Sequence, residues 1–233
     1  MRRFIIILTA FFLLIHGAEA DENPIEVGAV HWGRDLDQAQ KVSGETGRPV
    51  FVFFQEVPGC GGCQDFGRTV LTNPLIVEAV EDEFLPVLVF NNRGGKDQQL
   101  LERFGEPAWN FQVVRFLNAQ GRDIIPRKDH IWTASDLAAR MIAALQAADR
   151  PVPKYLQALA EESDFGRSGR KRPSEGGQAI FQVPGLTEIQ KARIETLLSI
   201  DKSKALEWLS PRQRQLLRNA EKNVEEGVNT PGR

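Results

Sequence analysis

The sequence predicts an α/β fold, a central sheet flanked by helices with a C-terminal helical extension. Three observations carry this. Apolar runs at 50–54, 85–90 and 113–117 have the length and composition of buried strands. Helix-periodic segments separate them in the order β-α-β, then β-β-α, which places parallel strands at the centre. Beyond residue 180 the chain carries two further helix starts.

Residues 1–20 stand apart. Met1-Arg2-Arg3 is basic, residues 4–15 are an unbroken apolar or small run, and Ala18-Glu19-Ala20 has the small-x-small form of a cleavage site. Twelve apolar residues fall short of the roughly 20 that cross a bilayer. A signal peptide is therefore expected, with Asp21 as the first mature residue, a periplasmic or secreted location, and no stable membrane anchor after cleavage. The expected organisation is a signal peptide at 1–20, the sheet-and-helix domain at 21–150, a helix and flexible linker at 151–180, and a helical extension at 181–233.

The first mature helix is expected over 35–42, with Leu36, Ala39 and Val42 near one face, ended by Gly47-Arg48-Pro49. Strand 50–54 is apolar throughout, as for a central strand covered on both faces. Gln64 to Arg68 opens the next helix. Asn73-Pro74 starts another, followed by strand 85–90, helix 96–104 and strand 113–117. Asn118-Ala119-Gln120-Gly121 is a turn, with 122–125 expected as the return strand of a hairpin. Ser135 is expected to cap a last helix carrying Leu137, Met141, Ile142 and Leu145.

The two cysteines of the chain stand together, in Val57-Pro58-Gly59-Cys60-Gly61-Gly62-Cys63. A Cys-x-x-Cys between an apolar strand and a helix is the arrangement of a thiol–disulfide redox site. The helix N-terminus offers unpaired N–H groups and a positive dipole end, which favour a thiolate on Cys60. A structural disulfide is the alternative, but so small a loop constrains the unfolded chain little. Formal charge is −2, about −3 without Arg2, Arg3 and Glu19, which points to neither nucleic-acid nor membrane binding.

Residues 30–148 resemble thioredoxin-like proteins, through Gly47-Arg48-Pro49-Val50, the Cys60-Gly61-Gly62-Cys63 site and the hairpin turn ending in Gly121. Val57-Pro58-Gly59-Cys60 is similar to a bacterial thioredoxin-like group in which a selenocysteine can follow Val-Pro-Gly. The resemblance implies an oxidoreductase with a redox-active disulfide, Cys60 as nucleophile and Cys63 as resolving cysteine. It also implies protein or small-molecule disulfide and dithiol substrates, a redox partner protein, and no bound cofactor. Attack of Cys60 on a substrate disulfide forms a mixed disulfide, which Cys63 resolves.

Three positions depart from the family. Gly59 and Gly62 stand where thioredoxins carry tryptophan and proline. Phe54 stands where a buried acid is usual, leaving Glu56 as the nearest upstream carboxylate and a possible proton acceptor. Gln112 falls at the cis-proline position, with Pro107 five residues earlier. Other readings follow from these departures. One is a non-catalytic thioredoxin-like binding module or periplasmic chaperone. Another is a copper(I)-binding protein, with His31 or His130 joining the cysteine pair. Two cysteines do not make a structural zinc site, and Gln64 after Cys63 excludes covalent haem attachment.

Residues 163–178, with Arg167, Arg170, Lys171 and Arg172, read as an exposed linker. Leu186-Thr187-Glu188-Ile189-Gln190 and Leu209-Ser210-Pro211-Arg212-Gln213 repeat one pattern 23 residues apart. Thr187 with Gln190, and Ser210 with Gln213, each predict a capping box, and Pro211 falls at the first helical position. Apolar sides are expected from Ile194, Leu197 and Leu198, and from Leu216, Leu217, Ala220 and Val224. The pattern is similar to the Leu-Thr-x-x-Gln repeats of Spy-like periplasmic chaperones, although helix capping accounts for it without that resemblance.

Overall fold

The computed structural model describes residues 23–110, 112–167, 179–198 and 201–225. The expected signal peptide and most of the expected linker lie outside them. A 3-10 turn, Ile25–Val27, precedes α1 (Leu36–Thr46), β1 (Val50–Gln55), α2 (Gly61–Thr69), α3 (Pro74–Glu83), β2 (Leu85–Phe90), α4 (Lys96–Phe104), β3 (Val113–Leu117), α5 (Ala134–Ala147) and α6 (Lys154–Arg167). The tail holds a second 3-10 turn, Ala179–Gln182, then α7 (Glu188–Leu198), α8 (Lys202–Leu206) and α9 (Pro211–Glu225).

The sheet order is β2-β1-β3, with β1 parallel to β2 and antiparallel to β3. The fold is α/β, as the strand and helix pattern predicted. β1 is buried along its whole length because helices cover both faces of the sheet. Its alternation splits the core in two. Phe51 and Phe53 face a large cluster with Phe66, Ile76, Val80, Met141 and Leu156. Val50, Val52 and Phe54 face Leu36 and Leu101 on the other side. Phe51 stacks on Phe116 across the β1–β3 pairing at 5.0 Å between ring centroids. Burying one such phenylalanine contributes about 1.5–3 kcal/mol. Helix α6 belongs to the same large cluster, through Tyr155, Leu156 and Leu159.

Local chemistry fixes the element ends. Asp35 caps α1, Asn73 accepts from Leu75 and Ile76 at the start of α3, and Pro74 takes the first helical position. Gly67 lets α2 press on the N-terminal 3-10 turn: a Cβ there would lie 1.9 Å from the Ile25 carbonyl oxygen.

Two expectations are corrected. The cap of α5 is Thr133, whose Oγ1 accepts from Asp136 N at 3.1 Å; Ser135 lies inside the helix. The return of the hairpin is not a regular strand. The backbone of residues 122–125 pairs with β3 at the Leu117–Asp123 bridge and by Ile124 N to Phe116 O, and pairing resumes at Val114–Lys128. Two extra residues around Pro126, which has no N–H to give, throw the return chain out of register.

The tail docks through carboxylates of the core helices. Glu162 of α6 accepts from the Glu188 and Ile189 N–H groups opening α7, and buried Glu78 of α3 accepts from Arg212 N at the start of α9. Arg212 also reaches Glu81 at 2.8 Å. Both capping boxes form: Thr187 N donates to Gln190 Oε1 and Gln190 N to Thr187 Oγ1, and Ser210 with Gln213 does the same. The two glutamines also join each other, Gln190 Nε2 donating to Gln213 Oε1 at 2.8 Å in a buried pair. On α9, Leu217 is buried, while Leu216 and Ala220 face solvent, contrary to the apolar side expected from spacing. No described helix is long and apolar enough to cross a membrane.

Candidate functional site

The end of strand β1 and the start of helix α2 place the cysteine pair at the edge of the core, with Cys60 at the surface. Cys60 is the N-cap of α2 and is exposed; Cys63, one turn in, is buried. Their Sγ atoms stand 3.6 Å apart as free thiols. Closing them to a disulfide requires an approach of about 1.5 Å, within reach of a side-chain rotation at Cys60.

The two thiols are electrostatically unequal. A hydrogen bond from the Cys63 backbone N–H holds the Cys60 thiol below its ordinary range, with help from the Cys63 thiol and the Gly62 N–H. Desolvation, and more weakly the Glu56 carboxylate, oppose this. Burial pushes the Cys63 thiol up to about 12, reinforced by its hydrogen bond to Cys60. The exposed sulfur is therefore the one that ionises first, which is the order nucleophilic attack requires.

Buried polar side chains hold the loop around this pair. Gln112 is fully buried with φ +56°, and its Nε2 donates to the Gly62 carbonyl at 3.0 Å. The glutamine that the sequence sets where a cis-proline was expected is therefore bonded to the backbone between the two cysteines. Pro107 lies in a separate turn, its carbonyl accepting from Asn110 N. The cis X-Pro bond among the described residues is Val57–Pro58. Buried Glu26 accepts from Gly59 N at 2.9 Å, and Gln55 Nε2 donates to the Glu26 and Cys63 carbonyls. Phe54 points into the opposite core, so Gln55 is the strand residue beneath α2.

The glycines have steric causes. A Cβ at Gly59 would lie 2.6 Å from both Cys63 Cβ and the Glu56 carbonyl oxygen, so no tryptophan fits there. The aromatic comes from elsewhere: the half-exposed Trp132 ring lies against Gly62. A polar network anchors that side of the site. Buried Glu106 holds Arg115 and Arg127, and Asp129 accepts from Arg127 and from Asn110, whose carbonyl takes Asn91 Nδ2. This ties the loop bearing exposed Trp109 to the loop bearing His130 and Trp132. Hydrogen bonds from His130, Arg127 and Asn110 hold the Asp129 carboxyl well below its usual range.

The structure separates the histidines from the sulfurs. His31 pairs with Glu81, and His130 with Asp129. Glu56 is the residue that joins the cysteines: its carboxylate oxygen and the two Sγ atoms all lie within 4.8 Å of one another. Neither Glu26 nor Gln55 was found by sequence reasoning. Glu26 reaches the site by a chain reversal of 33 residues that no local pattern signals.

Residues 31–119 match the family model Thioredoxin_7, described as thioredoxin-like. Over that stretch, the sheet and the helices around it are thioredoxin-like in fold, and the tail helices are additional. Similar solved structures include one titled DsbH oxidoreductase and one a thioredoxin from Thermus thermophilus. The first is 17% identical with a TM-score of 0.44, over 53% of this chain and 90% of its own. The second is 19% identical with a TM-score of 0.38, over 48% of this chain and 85% of its own. No curated protein matches the chain. The thioredoxin-like region ends before the tail helices, so what those helices do rests on their own contacts.

Proposed function

We propose that this chain is an exported thiol–disulfide oxidoreductase, periplasmic or secreted, that exchanges its Cys60–Cys63 pair with protein disulfides or small disulfides. The observation that carries it is the inequality of two thiols 3.6 Å apart, one exposed and favouring the thiolate, the other buried and protonated. Cys60 attacks a substrate sulfur and expels the other as a thiolate, forming a mixed disulfide. Cys63 then loses its proton and attacks Cys60 Sγ, releasing the second substrate thiol and leaving the Cys60–Cys63 disulfide. Glu56 is the nearby carboxylate to which that proton can pass. The exposed Trp109 and Trp132 supply apolar surface for a polypeptide substrate. A redox partner protein returns the pair to its starting state. Export rests on the basic, apolar and small-x-small order of residues 1–20, and Val57-Pro58-Gly59-Cys60 supports a place in the Val-Pro-Gly-Cys/selenocysteine group.

Reduction of a protein disulfide by the reduced mature chain tests this. Wild type is expected to turn over, Cys60→Ser to be inactive, and Cys63→Ser to accumulate a mixed disulfide. Equal thiol release by wild type and Cys60→Ser would overturn it.

The glutamine at position 112 favours a second reading, a thioredoxin-like binding module or chaperone, because the proline strand that receives extended substrate is altered. Under that reading Cys60→Ser leaves client binding intact.

A further inference from the structure

We infer that the reduced chain binds one zinc ion through Cys60, Cys63 and Glu56. The inference does not depend on Cys60 exchanging disulfides, since it concerns the reduced pair alone. Tetrahedral zinc with bonds of about 2.3 Å to sulfur sets two thiolates about 3.8 Å apart. The Sγ atoms already stand at 3.6 Å. The third donor is the Glu56 carboxylate, within 4.8 Å of both sulfurs. Glu56 is half-buried and Cys60 exposed, so modest rotations of these two side chains bring their donors to bonding distance while Cys63 stays fixed in the core.

The donor set selects the metal. Copper(I) is satisfied by the two soft thiolates alone and makes no use of a hard carboxylate, and the donors gathered around the pair are Glu56 and the two sulfurs, without His31 or His130. A carboxylate beside two thiolates suits the borderline zinc ion instead. Three protein ligands leave the fourth, solvent-facing position to water, as in open rather than structural zinc sites. Binding is an ion exchange without electron transfer: one Zn²⁺ enters and the two thiol protons leave to solvent. While zinc is bound, neither sulfur is free to attack a disulfide or to be oxidised. Forming the Cys60–Cys63 disulfide in turn removes both sulfur ligands.

The test is a titration of reduced, metal-free mature chain with Zn²⁺ against a chromophoric chelator, paralleled by Co²⁺ absorption to report sulfur ligation. Far-UV circular dichroism of each variant confirms folding. Wild type is expected to bind one equivalent, with a sulfur-to-cobalt charge-transfer band that disappears in Cys60→Ser and in the oxidised protein. Glu56→Gln is expected to weaken zinc at least about tenfold, and Glu56→His, which supplies another zinc donor, to restore most of that loss. Wild type binding no tighter than Cys60→Ser overturns the site. Folded Glu56→Gln with wild-type affinity overturns the role of the carboxylate and with it the three-ligand centre.

Discussion

The Gln112 side chain donates to the Gly62 carbonyl at 3.0 Å, joining the residue before β3 to the first turn of α2, between the two cysteines. A residue with a Cβ is held at φ +56° to make this bond, in the left-handed region. Gln112→Ala is expected to destabilise the reduced protein by about 1–2 kcal/mol. Gln112→Pro should cost more, because proline fixes φ near −65° and cannot adopt this backbone. Denaturant unfolding of the reduced forms measures both. Proline at least as stable as glutamine would show that the positive φ is not required.

The unequal thiols predict a pH profile. A thiol held below its ordinary range loses its proton at lower pH, so Cys60 alkylation should rise with pH through a midpoint below that of an unperturbed cysteine thiol. As pH falls through that midpoint the thiolate, and the rate, are lost. Cys63, raised to about 12, should stay unmodified across the whole range in which Cys60 reacts. Mass-resolved alkylation of the native reduced chain distinguishes the sites, and equal labelling of both would contradict the assignment.

Gly67→Ala is expected to destabilise the fold by at least about 2 kcal/mol, since the new methyl meets backbone that cannot rotate away. The substitution separates the packing of α2 on the N-terminal turn from the redox chemistry, because Gly67 touches neither sulfur. Thermal melting of the variant gives the answer, and an unchanged midpoint would mean that the turn at Ile25–Val27 is free to shift.

The tail makes a coupled prediction. Gln190→Ala and Gln213→Ala each break a capping box and their shared buried bond, at about 1–3 kcal/mol each. The double variant should lose less than the sum, with a coupling of about 0.5–3 kcal/mol. Additive losses in a double-mutant cycle would show that the two repeats act independently.

What was legible in the sequence follows from range. The capping boxes at Thr187 and Ser210 close within four residues, so pattern alone found them. The buried strands announced themselves by composition. Counting back from the cysteine pointed to Phe54, but the pleat decides which residue lies under α2, and it turns Phe54 away and Gln55 inward. The carboxylate that steadies Gly59 comes from Glu26, before the first helix, which only the folded chain brings near. Ser135 lost the cap to Thr133 because either hydroxyl satisfies the sequence pattern, and the backbone turns at Thr133. The apolar spacing of α9 counted Leu216 and Ala220, yet the helix leans on the rest of the tail along the line of Gln213 and Leu217.

The most direct measurement is the redox midpoint of the Cys60–Cys63 pair in the mature chain, by thiol trapping across defined glutathione and dithiothreitol buffers without added metal. A single two-electron transition among the potentials of known exchange proteins, about −120 to −270 mV, is the predicted result. A pair that stays oxidised under strongly reducing conditions, or one that never closes, would contradict a redox function for this site.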